Sequence, residues 1–199
     1  IPESAFTSPT LLGDLIRPSD IVLLITPIDI EAPAGRMILP QVQAIRDVID
    51  NNAICVVLQE REIEGFLARS KIKPALAVTD SQIFEKADAA VPSDIPLTSF
   101  SILLGRLKGD FENYRKGTAA ISELKDGDRV LMLESCTHHV SCEDIGRYKI
   151  PRWLRAHTGK ELAFDVFAGL DAIQRPITDY ALVIQCGGCM ITRRQLHNR

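Results

Sequence analysis

Two short motifs hold the residues of this chain best suited to chemistry. Cys136-Thr137-His138 sets a thiol and an imidazole one residue apart, and Cys186-Gly187-Gly188-Cys189 sets two thiols two residues apart, fifty positions further on. Three soft thiolates with one imidazole select zinc or an iron-sulfur cluster over magnesium or calcium. Spacing alone leaves those two open: a structural zinc site of Cys136, His138, Cys186 and Cys189 satisfies it as well as a cluster does. A thioredoxin-like dithiol fits less well, because that motif follows an early strand and usually has an aromatic before its first cysteine, whereas Gln185 precedes Cys186. The glycines of IQCGGCMI let the backbone wrap closely around a metal.

The remaining candidates read more plainly as structure. Cys55 lies inside the apolar run ICVVL and is expected to be a small core residue. Cys142, six positions after Cys136, is a spare thiol without a partner motif, and His139 is better suited to capping or backbone hydrogen bonds than to coordination. His157 and His197 have no partners in sequence and are expected at the surface. Trp153 lies in KIPRWLRAHTGK among Arg147, Lys149, Arg152, Arg155 and Lys160. That pattern describes a core tryptophan on a basic solvated helix, or else a positive rim for an anionic ligand or acidic partner. Arg193 and Arg194 are open to the same two readings.

What is missing narrows the function. The chain has no G-x-x-x-x-G-K-[ST] loop, no G-x-G-x-x-G turn and no C-x-x-x-C-x-x-C triplet. No nucleophile-base-acid order and no carboxylate pair stands out, so the chain offers a binding site more plainly than an active site and is not expected to be an enzyme. A net charge of −3 over 199 residues gives no electrostatic reason to expect nucleic acid. No apolar run reaches the roughly 18 residues of a membrane span, so no membrane partner is expected. Five cysteines, an odd number clustered late, argue against a secreted disulfide framework and for a reducing, cytoplasmic setting. The chain opens on Ile1 and stops in the basic run TRRQLHNR, so it is expected to be a fragment.

The elements that must position the cysteines follow from hydrophobic pattern. Runs at Ile21 to Ile25, Ile54 to Leu58 and Ala75 to Val78 are short, apolar and rich in β-branched residues, as strands covered on both faces are. Leu39, Val42, Ile45 and Ile49 recur at helical spacing between the first two, and Ser81 to Ala90 forms a second helical stretch. This βαβαβα order implies a small parallel sheet. After VPSDIP, Thr98 or Ser99 can cap one long helix on which Phe100, Leu103, Leu104, Leu107, Phe111 and Tyr114 share a face. The turn Asp126-Gly127 precedes a strand from Arg129 to Glu134. A helix around Pro151 to Ala156 and strands at Leu162 to Val166 and Ala181 to Ile184 complete the chain. The expected fold class is α/β, in two small domains, each a mainly parallel sheet flanked by helices. The expected boundary gives residues 1–97 and 98–199. If the strands before Cys136 and Cys186 run parallel in one sheet, their carboxyl ends share the edge where open α/β sheets place ligands.

Several segments together carry a family resemblance: LLGDLIRPSDIVLLITPIDIEAPAGRMILPQVQAIRD, VTDSQIF, IPLTSFSILLGRLKGD, LKDGDRVLMLESCTHH, DIGRYKIPRWLR and VIQCGGCM. Over nearly its whole length the chain resembles the HydF family of FeFe-hydrogenase maturation factors, whose pattern is C-x-H, a long spacer, then H-C-x-x-C. The resemblance implies a dimerisation domain over residues 1–97 and an iron-sulfur cluster-binding domain over 98–199. An amino-terminal GTPase domain, usual in the family, is not in this chain. It further implies a 4Fe-4S cluster with metal ligands Cys136, Cys186 and Cys189, with His138 as fourth ligand or near neighbour. The implied role is a homodimeric scaffold. It would carry a diiron precursor bearing CO and CN, made with two radical-SAM maturases, and deliver it to apo-hydrogenase. Gln185 departs from the pattern, standing where the family has histidine, and so removes one candidate fourth ligand. The alternative of another class is a zinc-stabilised α/β interaction module without iron chemistry.

Overall fold

The computed structural model describes residues 10–28, 35–135, 144–168, 173–186, 188 and 191–197. They form two compact units that divide between Leu107 and Lys108.

The first unit is built on a four-stranded sheet of β1 (Ile21–Ile25), β2 (Ile54–Leu58), β3 (Leu76–Thr79) and β4 (Leu97–Ser99), in the order β2-β1-β3-β4. All three pairings are parallel, with Leu23 opposite both Val56 and Ala77. The central strands β1 and β3 are buried almost throughout, which accounts for their continuous apolar sequence. The connections are α1 (Leu39–Asp50), α2 (Ile63–Ser70) and α3 (Phe84–Ala90), and α4 (Phe100–Lys108) follows the last strand. One core gathers Leu23, Ile25, Leu58, Ile63, Ala77 and Ala87.

α1 has the predicted period but not the predicted phase. Its buried positions are Pro40, Gln41, Ala44 and Val48. Leu39, Val42 and Ile49, three of the four residues that make the helix legible, are exposed. β2, an edge strand, likewise leaves Ile54 and Val57 exposed. Cys55 on the same strand is half-buried, and burial pushes its thiol up to about 11. The thiol is held neutral, but Cys55 lies at the sheet edge and not in the core that its apolar run predicts.

The long helix expected from Ser99 to Tyr114 is two helices, α4 and α5 (Phe111–Gly117). Ser99 caps the first, its Oγ accepting from the Ile102 N–H at 3.2 Å. Asp110 caps the second, accepting from the Asn113 N–H at 3.2 Å. The ring of Tyr114 folds over Gly109 so closely that a Cβ there would lie 2.3 Å from it. A glycine followed by a capping aspartate breaks the helix although the apolar spacing runs on.

The second unit carries β5 (Arg129–Glu134), β6 (Ala163–Ala168) and β7 (Leu182–Gln185) in the order β6-β5-β7, again wholly parallel. Gly127, at φ +88°, makes the turn into β5. A 3-10 stretch (Thr118–Glu123) and α6 (Ile150–Thr158) pack on one face of this sheet. Their core is Leu124, Val130, Met132, Leu154 and Leu162, joined by Phe164, Ile184 and Cys186. Arg155 braces α6 against the sheet, its guanidinium 4.9 Å from the Phe164 ring centre and its Nη2 donating to the Leu162 carbonyl at 2.8 Å. α6 is preceded by a π turn (Ile145–Lys149), and a short α7 (Arg193–His197) follows β7.

Candidate metal centre

The three parallel strands of the second unit direct their carboxyl ends to one edge, and β5 and β7 are neighbours there. Leu133 pairs with Gln185, and the Cys186 N–H continues the ladder by donating to the Leu133 carbonyl at 2.8 Å. Cys186 therefore stands beside the end of β5, the strand whose chain runs on through Ser135 to Cys136. Its side chain packs on the α6 face of the sheet. Cys136, His138 and Cys189, with Cys142 and His139, lie outside the described residues.

Gln185 ties the two strand ends together. Its Nε2 lies 3.1 Å from the Leu133 carbonyl and 3.0 Å from Ser135 Oγ, and it also reaches the Cys186 carbonyl. Gln185 thus spends its amide nitrogen on two backbone carbonyls and the Ser135 hydroxyl at the strand ends from which the cysteine motifs depart.

Glu134, the last residue of β5, is only 4% exposed. Arg147 grips it from the π turn, with Nε 2.9 Å from Oε2 and 3.2 Å from Oε1. A buried carboxylate is tolerated only when paired in this way. Asp144, also buried, starts the turn by accepting from the Arg147 N–H at 2.8 Å. Between them sits Gly146. A Cβ on Gly146 would lie 3.1 Å from Glu134 Oε1 and 3.2 Å from Cys186 Sγ, tighter than side chains normally pack. Carboxylate and sulfur therefore share the space that the missing side chain leaves. On the other side of the cysteine, Lys108 Nζ donates to the Gly188 carbonyl, inside the Cys-Gly-Gly-Cys turn, at 3.0 Å.

These residues fit a soft metal or cluster. The described thiol stands at a sheet edge beside Gly146, and its backbone is held by the Leu133 carbonyl and by Gln185 Nε2. Glu134, Gly146, Arg147 and Lys108 are the neighbours that sequence reading missed as site residues, Arg147 being legible only as part of a basic stretch. Among the described residues alone, no group of three or more metal-binding side chains is gathered.

Trp153 is not a core residue. It is 39% exposed and, with Ile121, Ile150, Leu154, His157 and Ile184, lines a shallow apolar groove of about 380 Å³ on α6. His157, Arg193, Arg194 and His197 are exposed.

Fold and site together define a protein of two consecutive parallel α/β units, the second presenting a cysteine where neighbouring strands end. The chain belongs to the hydrogen maturase F family: residues 11–109 match the model of its dimerization domain, and residues 112–199 match that of its tetramerization domain. Membership places the chain among the hydrogenase maturation proteins, in two domains that serve self-association. No curated protein matches. Among solved structures, the chain is similar to one from structural and functional studies of fatty acyl-adenylate ligases from E. coli and L. pneumophila. That likeness has 16% identity and a TM-score of 0.36, and covers 78% of this chain and 33% of the other. The chain thus spans about a third of that structure's length, and at this score the likeness carries no argument. No helix among the described residues is long and apolar enough to cross a membrane.

Proposed function

We propose that the chain is the self-associating, cluster-holding portion of a scaffold for hydrogenase maturation, and not itself an enzyme. Cys136, Cys186 and Cys189 hold a 4Fe-4S cluster, with His138 as fourth ligand or near neighbour. The observation that carries this reading is the pairing of β5 with β7, which sets Cys186 beside the strand end that leads to Cys136. Three thiolates on a 4Fe-4S cube leave one iron with an open position, to which a cyanide of a diiron cargo can bridge. Gln185 Nε2 donates to the Leu133 carbonyl and to Ser135 Oγ, and that position falls to His138, water, a residue from elsewhere or an exchangeable ligand. The cargo is a diiron precursor bearing CO and CN, received with the help of radical-SAM maturases and passed to apo-hydrogenase in the cytoplasm. Neither nucleic acid nor membrane takes part.

Self-association begins in the first unit. β2 is an edge strand with an open ladder, and Ile54 and Val57 on it are exposed, one on each face of the sheet. Two copies pairing β2 to β2 about a two-fold axis make a homodimer with one continuous sheet. Anaerobic reconstitution with iron and sulfide tests the cluster. A brown protein whose cluster couples spectroscopically to a labelled cyanide-bearing diiron mimic supports the reading. A colourless protein holding one zinc sinks it in favour of a zinc-stabilised interaction module.

A further inference from the structure

Resting on the cluster reading above, we infer that Gly146 is a positioning residue for the cluster ligand Cys186. The π turn that carries Gly146 is the wall against which the sulfur is set, and the Glu134–Arg147 pair locks that wall in place. The backbone of Cys186 is already fixed by its bond to Leu133, so the sulfur has little freedom except rotation about its own side chain. One direction of that rotation ends on Gly146, where sulfur and the Glu134 carboxylate occupy the volume of an absent methyl group. The turn cannot retreat to make room. Arg147, the next residue, is bonded through its side chain to Glu134 and through its N–H to Asp144, and both carboxylates are buried. π turns are rare and frequently occur at functional sites. Here the turn carries the glycine that faces the sulfur.

A methyl group at residue 146 must displace either the sulfur or the carboxylate. Fe–S ligation tolerates little displacement, and changes in the groups that orient metal ligands weaken binding by roughly 10- to 100-fold. Gly146→Ala in the whole chain, reconstituted anaerobically with ferrous iron and sulfide, is therefore expected to retain roughly 10-fold less cluster under a competing chelator. Its residual cluster should show shifted g-values when reduced, a readout that a loss of stability alone does not move. In the metal-free protein, the rate at which iodoacetamide alkylates Cys186, read by peptide mass, should change between Gly146→Ala and the parent chain. Arg147→Lys keeps the charge but loses the Nε–H that both carboxylate oxygens share, and should shift the same g-values less. If Gly146→Ala does not fold, Arg147→Lys decides alone. Unchanged g-values, chelator resistance and alkylation rate in every variant that folds would overturn the inference. A parent chain that takes up no cluster would overturn the proposed function instead, and the alkylation comparison would still decide whether Gly146 seats the sulfur.

Discussion

Val57→Lys on β2 should separate the first step of assembly from folding. Val57 is 44% exposed, and Ile54, Val42, Ile49 and Leu39 are 51%, 47%, 57% and 43% exposed. Complete burial of such a side chain is worth about 1.5–3 kcal/mol, so covering the half that remains open gives about 1 kcal/mol per residue. Ile54 and Val57 on each of two copies then supply roughly 4 kcal/mol, to which the ladder hydrogen bonds add, against association costs of about 4–15 kcal/mol. Lysine at residue 57 forfeits about 1 kcal/mol at each of two symmetry-related places and sets two ammonium groups on a shared edge, a substitution that natural edge strands use to prevent pairing. The two losses sum to about 2 kcal/mol before the charge repulsion, which corresponds to a dimer weakened at least roughly 30-fold. Sedimentation velocity across a concentration series reads this directly. The variant should move to a smaller assembly at concentrations where the parent chain is associated, with unchanged circular dichroism, because the side chain lies outside the core. An unchanged distribution of species would show that the β2 edge is not an interface.

Two further outcomes follow from the packing of the chain. Asp14 and Arg106 form a two-point ion pair at 2.6 and 2.7 Å, and the Arg106 guanidinium holds the Asp14 carboxyl below its ordinary value. The stability this contributes is present at pH values above the ordinary carboxylate range and is lost as pH falls through the lowered value. Arg106→Ala should therefore lower the thermal midpoint near neutrality and narrow the gap to the parent chain in acid. A gap independent of pH would refute the pairing. Gly109→Ala should destabilise the chain by about 1–3 kcal/mol in urea unfolding, because the added methyl group meets the Tyr114 ring. A neutral effect would mean that the ring moves aside freely.

The sequence was most legible where one local rule dominated. β5 runs from Arg129 to Glu134 as expected because Asp126-Gly127 starts it and both of its faces are covered. α1 was legible by period, yet the stripe that revealed it is largely an exposed surface, since periodicity marks a helix without saying which face the sheet will take. The break at Gly109 was hidden because Phe111 and Tyr114 continue the apolar spacing of α4, and only the cap at Asp110 and the ring over Gly109 decide otherwise. β4 was missed because three residues, Leu97 to Ser99, carry no pattern of their own and become a strand only by pairing with β3. At the centre, motif spacing led to the two strand ends. Glu134, Gly146, Arg147 and Lys108 were illegible as a group because their contacts with one another and with the Cys186 turn exist only once β7 lies beside β5.

Iron and acid-labile sulfide analysis of the anaerobically reconstituted chain, alongside five single variants, decides whether the three cysteines hold a cluster. The parent chain should hold about four iron and four sulfide, and Cys136→Ala, Cys186→Ala and Cys189→Ala should hold none. Cys142→Ala should bind as the parent does, and His138→Ala should keep a cluster with an altered spectrum. Stoichiometric iron in all three of the first group, or a colourless parent chain carrying one zinc, would contradict the cluster assignment.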